Sequence, residues 1–323
     1  MGRRPFDYTL LVLTIVLVLF GIVMVFSASF YVAENSPSTN YDGYYYFWKQ
    51  VSGAAIGLVA MIAAMFFDYN KFLKLRYIIL GIALVLMLLV FVPGVGIEIN
   101  GSRRWVNLYF LDLQSVEVLK FAIIVFLAGS ISIHQDRMRT FRYGMLPGLV
   151  LLAISAVLLY FQPNFSAVVT LALLVFVMVL VGGANLLHFG IMGVLGIAGG
   201  ALAMVAGEYR INRILAFTDP WKYSGDLSYQ LIQSLYSIGS GGLFGLGLGN
   251  SRQKFLYLPY SESDCIFAII VEELGYVGGL AVLVVFGLLI WRGVRIALRA
   301  PNTFGMMLAT GITALIAIQV FIN

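Results

Sequence analysis

Charge is what this 323-residue chain has least of. Only 11% of its residues are Asp, Glu, Lys or Arg, while 61% are apolar before its 34 glycines are counted. An ordinary soluble domain is about 25% charged and about 45–50% apolar with glycine included. A water-soluble fold cannot cover its surface from so small a stock of polar side chains, so a soluble enzyme is excluded. Intrinsic disorder, which needs low hydrophobicity and high net charge, is excluded with it. Cysteine is almost missing. The one thiol, Cys265, rules out an internal disulfide and any cysteine-based metal cluster. Histidine occurs twice, at His134 and His188, far apart and read as interfacial residues rather than a metal pair. The apolar residues run through the whole length, so a single anchor does not account for them. What remains is a polytopic membrane protein.

A transmembrane helix needs roughly 20 apolar residues. Tyr143–Gly207 contains no Asp, Glu, Lys or Arg and has room for three such spans, divided by turn chemistry at Gln162-Pro163-Asn164 and at Gly182-Gly183-Ala184-Asn185. Further spans are expected at Tyr8–Tyr31, Phe47–Phe67, Tyr77–Ile97, Leu113–Ile133, Asp264–Ile290 and Thr303–Asn323. The expectation is all-α: a polytopic transmembrane helical bundle of about nine spans, forming a single integral membrane domain over 1–323. A β-barrel would show short alternating segments instead.

The scarce basic residues set an orientation. With the N-terminus in the cytoplasm, the inner side holds Arg3, Arg4, Lys71, Lys74, Arg76, Arg137, Arg139, Arg142, Arg292, Arg295 and Arg299, over half of the 20 lysines and arginines. All lie in short loops near span ends, where the positive-inside rule weighs most. The first apolar segment is too long for a signal-peptide core and is read as a retained helix.

The outer side then carries the unusual features. A large loop, 207–263, lies between spans seven and eight, and loops of that length are usually functional when ordered. Within it, Leu227–Ile238 has helical apolar spacing; it lies along the membrane surface or packs on the bundle. The run Gly239–Gly249 holds six glycines, read most simply as a tightly turning loop and more sharply as an anion cradle. Arg252 and Lys254 follow it, positive charge kept outside against the usual bias, which suits an anionic lipid or a phosphate-bearing substrate. Arg103, Arg104 and Trp105 form a second outer cluster. Glu117 and Lys120 lie three apart inside the fourth span, on one helix face, as a polar cavity or a self-neutralising pair. Ser261–Asp264 has capping-box spacing at the start of the eighth span, and Glu272 and Glu273 lie about two turns deeper, where carboxylates are costly.

Taken together, Gly-Ser-Arg-Arg-Trp (101–105), Glu-Val-Leu-Lys (117–120), Gln-Pro-Asn-Phe-Ser-Ala (162–167), Tyr-Arg-Ile-Asn-Arg-Ile (209–214), Asp-Pro-Trp (219–221), Tyr-Gln (229–230) and the block 239–275 resemble the SEDS family of shape, elongation, division and sporulation proteins, which includes RodA, FtsW and SpoVE. The resemblance covers nearly the whole chain in order. The run 249–259 is most similar to the FtsW and SpoVE branch. It implies a peptidoglycan glycosyltransferase polymerising lipid II outside the bacterial plasma membrane; the chemistry expected of it is an inverting displacement of undecaprenyl diphosphate with Asp264 as general base. The family's essential aspartate falls on Asp264, its paired helix charges on Glu117 and Lys120, and its outer-loop tryptophan on Trp105. Arg103, Arg104, Trp105, Glu117, Lys120, Arg210 and Arg252 are candidate substrate contacts. A divalent cation, Mg or Mn, is a possible companion of the diphosphate, with Asp264 or Glu117 as oxygen ligand. The implied partners are lipid II, undecaprenyl-diphosphate-linked glycan, membrane lipids and a class B penicillin-binding protein, with no nucleic acid.

The sequence departs from the family at three places: Glu262 stands where histidine is common, Cys265 where phenylalanine is usual, and Asn164 in place of the aspartate of the Gln-Pro-Asp motif. Family members usually have ten spans, so a further helix beyond Asn323 is expected. The rival reading is a lipid II flippase without bond chemistry. It is disfavoured because the polar groups cluster outside rather than lining both sides.

Overall fold

A computed structural model describes residues 6–99, 102–107, 112–191, 193–194, 196, 218–222 and 228–322. In chain order, α1 (Tyr8–Glu34), α2 (Tyr45–Phe66) and α3 (Asn70–Leu89) lead into strands β1 (Gly96–Ile99), β2 (Ser102–Asn107) and β3 (Asp112–Gln114). There follow α4 (Ser115–Ile133), the single turn α5 (Phe141–Gly144), α6 (Leu146–Phe161), α7 (Phe165–Val181), α8 (Tyr229–Ser240), α9 (Ile266–Leu298) and α10 (Thr303–Ile322). Helices α1, α2, α3, α4, α9 and α10 are long and apolar enough to cross a membrane, and α6 and α7 are shorter apolar helices. The protein is a multi-pass α-helical membrane protein, as its composition requires. Eight of the nine expected spans correspond to these helices. The ninth, in the 185–207 stretch, lies mostly outside the described residues, as does Arg210.

Two boundaries differ from expectation for physical reasons. The third span was expected at Tyr77–Ile97, but α3 begins at Asn70 and takes in Lys71, Lys74 and Arg76. Long basic side chains bury their stems while their charged heads reach water, so charge does not end a helix at a membrane surface. The helix opens where the Asp68 carboxylate accepts the Asn70 backbone N–H at 3.0 Å and its amide at 2.8 Å. Those bonds hold the Asp68 carboxyl below the usual range. After Leu89 the chain does not continue as a helix but folds into a three-stranded antiparallel sheet, β1-β2-β3. Ile99 pairs with Ser102, and Asn100-Gly101 lie between them in sequence. That dipeptide is the strongest short-range hairpin signal a sequence carries.

The chain divides into two compact units, one of residues 1–67, 197–289 and 323, the other of 68–196 and 290–322. In the second unit α4 is the central element, packed by α3, α7 and α10. Leu119, Ile123, Ile124 and Leu127 of α4 are buried with Met87, Leu171, Leu174, Met178 and Phe304. In lipid, helix association rests on close packing and not on escape from water. Gly311 of α10 shows this, since a Cβ there would lie 2.6 Å from Ile124 and 3.0 Å from Met178. The turn between α6 and α7 falls at Gln162-Pro163-Asn164 as expected. Asn164 caps α7 by accepting the Ala167 N–H at 3.3 Å.

In the first unit α1 packs on α2. Phe26 and Phe30 of α1 meet Tyr44 and Phe47 at ring distances of 5.3–5.7 Å. The buried apolar cluster around the start of α9 is small: Ala28, Leu258, Cys265, Ala268 and Ile269.

Candidate functional site

Helix α9 is two helices in series. At Gly275 the backbone turns to φ 72° and ψ −178°, outside the helical region and open only to glycine. The break leaves a short half-helix from Ile266 to Leu274, whose last carbonyls lack helical partners. The glycine-rich loop supplies them. Leu246 N–H donates to the Glu272 carbonyl and Gly247 N–H to that of Glu273, both at 2.9 Å. On the far side of the break, Tyr276 N–H donates to the Gly242 carbonyl at 2.9 Å and Val277 N–H to that of Leu243 at 3.2 Å. A Cβ at Gly245 or Gly275 would strike the facing backbone. The glycines of 239–249 thus turn tightly and bring two backbones together, the plainer of the two readings of that run.

Two carboxylates sit at the end of the half-helix, Glu272 and Glu273, each 0% exposed. Glu273 pairs with Lys254 at 3.0 Å and accepts the Ser27 hydroxyl at 2.8 Å. Lys254 also donates to the Gly249 carbonyl at 2.6 Å. Glu272 faces neutral donors: the hydroxyls of Ser251 at 2.6 Å and Ser237 at 2.8 Å, the Arg252 N–H at 2.9 Å, and Ser240 at 3.4 Å. Sequence depth marked both glutamates as unusual. Their partners come from distant loops that no local pattern reveals.

Asp264 stands at the other end of this half-helix. The helix begins at Ile266, not at Asp264 as expected, and the anticipated capping box does not form. The Ser261 hydroxyl is buried and lies 3.5 Å from Glu262. Asp264 is exposed, and among the described residues its carboxylate has no hydrogen-bond or ion-pair partner. Arg252 is likewise exposed; its backbone N–H is tied to Glu272, and among the described residues its guanidinium has no partner. Helix α8 packs on the half-helix, with Gln230 and Ser234 placing polar atoms 3.0 Å and 3.4 Å from the Cys265 sulfur.

The second unit holds the remaining candidates. Trp105 is central in the sheet, opposite Ile97 on one side and Gln114 on the other. Strand β3 runs directly into α4, so the sheet sets Trp105 near the first turn of that helix. Glu117 and Lys120 meet there at 2.6 Å, the lysine side chain 6% exposed and the glutamate 47%. Burial of the ammonium makes the pair costly to break from the glutamate side. Arg103 pairs with Glu98 at 3.1 Å, both about half exposed. Arg104 turns inward, donating to the Gln162 carbonyl at 3.2 Å and to that of Pro163, so it fastens the α6–α7 turn. His134 stacks on Tyr143 and His188 meets the edge of Phe141, each engaged with an aromatic ring.

Comparison with known proteins gives this arrangement a family. The pattern of the cell-cycle protein family named for FtsW, RodA and SpoVE matches residues 8–323. The Stage V sporulation protein E of Bacillus subtilis is 39% identical over 98% of this chain and 86% of its own length. A Trichlorobacter lovleyi protein named "Probable peptidoglycan glycosyltransferase FtsW" is 37% identical over 99% of this chain and 85% of its own. Among solved structures, a chain from a peptidoglycan synthase complex superposes with a TM-score of 0.77 at 25% identity, covering 99% of this chain and 87% of that one. The rod shape determining protein RodA of Thermus thermophilus gives 0.68 at 25% identity, covering 99% and 84%. On sequence and fold alike, the chain belongs to the FtsW, RodA and SpoVE family of cell-cycle proteins.

Proposed function

We propose that this protein is a peptidoglycan glycosyltransferase that polymerises lipid II at the outer face of the bacterial plasma membrane, with Asp264 as general base and the N-terminus in the cytoplasm. One observation carries the reading: an exposed carboxylate, without a partner among the described residues, leads into a half-helix whose far end is locked by buried glutamates. A base must be free to meet its substrate while its support stays fixed. The family membership and the names of the relatives support the glycosyltransferase activity.

The chemistry is a single displacement. Asp264 takes the proton of the acceptor sugar's 4-hydroxyl as that oxygen bonds to the donor's anomeric carbon. The bond to undecaprenyl diphosphate breaks, its electron pair leaves with the diphosphate, and the anomeric configuration inverts. A sugar hydroxyl is a weak nucleophile at neutral pH, so removing its proton in the transition state matters. The leaving diphosphate needs charge stabilisation, not protonation, and the exposed Arg252 guanidinium is suited to supply it. Arg103, Trp105, Glu117 and Lys120 keep their proposed part in substrate binding, and Arg210 keeps its part from the sequence. Arg104 is proposed to act through the turn that it holds.

Among the described residues no group of three or more His, Cys, Asp or Glu is assembled. That fits a Mg or Mn ion carried in on the diphosphate, with Asp264 or Glu117 as protein ligand, since such ions bind through one or two carboxylates plus phosphates. Bound there, it would offset the charge of the leaving group. A class B penicillin-binding protein is the proposed partner, acting on the strand that is made.

The test is purified protein with labelled lipid II, the products resolved as glycan chains on a gel. The account expects polymer, and slower polymerisation in EDTA restored by Mg or Mn. No polymer, with labelled lipid crossing vesicle membranes, would replace this reading with transport.

A further inference from the structure

We propose that Glu272 is a positioning residue for Asp264, acting through a polar seam between α8 and the half-helix Ile266–Leu274. Ala268 and Glu272 share one face of the half-helix, and Cys265, immediately before its first residue, continues that face. Gln230, Ser234, Ser237 and Ser240 are spaced to share one face of α8. The two faces meet in order. Gln230 and Ser234 reach the Cys265 sulfur, Ser237 donates to the Ala268 carbonyl at 3.1 Å and to Glu272, and Ser240 also reaches Glu272. The seam therefore runs from Glu272 to the residue beside Asp264.

Glu272 is the node of this seam. Its carboxylate also takes the Ser251 hydroxyl and the Arg252 N–H, so it joins α8, the end of the glycine-rich loop and the half-helix. The other anchors of the half-helix, Glu273 with Lys254 and Ser27 and the backbone bonds from Leu246 and Gly247, sit like Glu272 at its far end, but none of them reaches toward Asp264 along α8. The break at Gly275 frees it from the rest of α9, and the apolar cluster beside it is small. Removing a buried acceptor strands its donors, which is more costly than the net worth of the bonds themselves. The face of the half-helix toward α8 would then lose its main tie, and Asp264 at its start would be less firmly placed. Lys254 does not substitute, because its ammonium is committed to Glu273 and Gly249.

The claim rests on Asp264 being the base, and its test separates the two. Cys265 is the only cysteine, buried in the seam next to Asp264, and so reports seam closure without reference to activity. The experiment compares full-length wild type with Glu272→Gln and Glu272→Asp in detergent, by lipid II polymerisation and by maleimide labelling of the thiol. Glu272→Gln keeps the shape but replaces one acceptor oxygen with a donor. It should lower kcat by about tenfold or more with KM within about twofold. Maleimide labelling should speed up by about fivefold or more, as expected for a thiol released from burial. Glu272→Asp, which retains the carboxylate, should recover most of both. Wild-type kcat and thiol protection in Glu272→Gln would overturn the proposal. So would a loss of activity that comes with a collapsed unfolding temperature and is not recovered by Glu272→Asp. If Glu272→Gln does not accumulate folded, Ser237→Ala takes its place. A smaller change in both readouts supports the seam, and no change in either overturns it. Unimpaired polymerisation by Asp264→Ala would instead remove the base assignment, whatever Glu272 does.

Discussion

Lys254 and Glu273 meet at 3.0 Å with side chains 7% and 0% exposed, so each charge depends on the other for its solvation. Removing one partner from a buried pair costs about 3–5 kcal/mol, because the survivor is left uncompensated. Lys254→Met should therefore lower the thermal unfolding temperature of detergent-solubilised protein sharply. The double variant with Glu273→Gln should lose clearly less than the sum of the two single changes. Additive losses would show that the pair is not coupled. Asn164 makes a gentler case. As the cap of α7 it should cost about 1 kcal/mol when changed to Ala, while Asp serves equally well as a cap. The Arg104 guanidinium on the neighbouring carbonyls is placed to offset the added charge. Asn164 is thus a departure from the family's aspartate that leaves the local structure intact, measurable as matched unfolding temperatures for Asn164→Asp and wild type.

At the level of the elements, the break in α9 makes a sharp prediction. Gly275→Ala forces a Cβ into the facing backbone of Leu243 and Gly245 at a positive φ and should abolish accumulation of folded protein. Gly287, later in the same helix, has nothing within 4 Å of its virtual Cβ. Gly287→Ala should be neutral or stabilise by up to about 1 kcal/mol. Equal expression and stability of the two variants would contradict the clamp. Helices were readable from composition because a span must be long and apolar whatever its neighbours do. The break was not, since glycine is common in transmembrane helices and only the approach of residues 241–247 makes Gly275 obligatory. The small sheet was readable in principle. Gly-Ile-Glu-Ile before Asn-Gly and Ser-Arg-Arg-Trp-Val-Asn after it are a hairpin pattern, hidden by reading Tyr77–Ile97 as one apolar span. The seam partners of Glu272 lie in separate segments, and periodicity carries no information about such contacts. Asp264 itself was found through family resemblance, its local pattern pointing more readily to a helix cap.

For the molecule as a whole, the proposed orientation, with the N-terminus in the cytoplasm, rests on where the scarce basic residues lie. In a Cys265→Ser background, an impermeant maleimide should label Ser38→Cys in intact cells and Arg139→Cys only after permeabilisation. The reverse pattern would invert the topology and place Asp264 on the cytoplasmic side, away from any extracytoplasmic glycan. The central claim is more demanding, that a carboxylate free of partners among the described residues performs polymerisation in a protein otherwise built to be locked. It is tested most directly by the initial rate of lipid II polymerisation for wild type and Asp264→Ala, purified alike and matched in unfolding temperature. The account predicts polymer from the wild type and a loss of at least about a hundredfold in the variant, the scale of general-base catalysis. A folded Asp264→Ala protein that polymerises at the wild-type rate would contradict it.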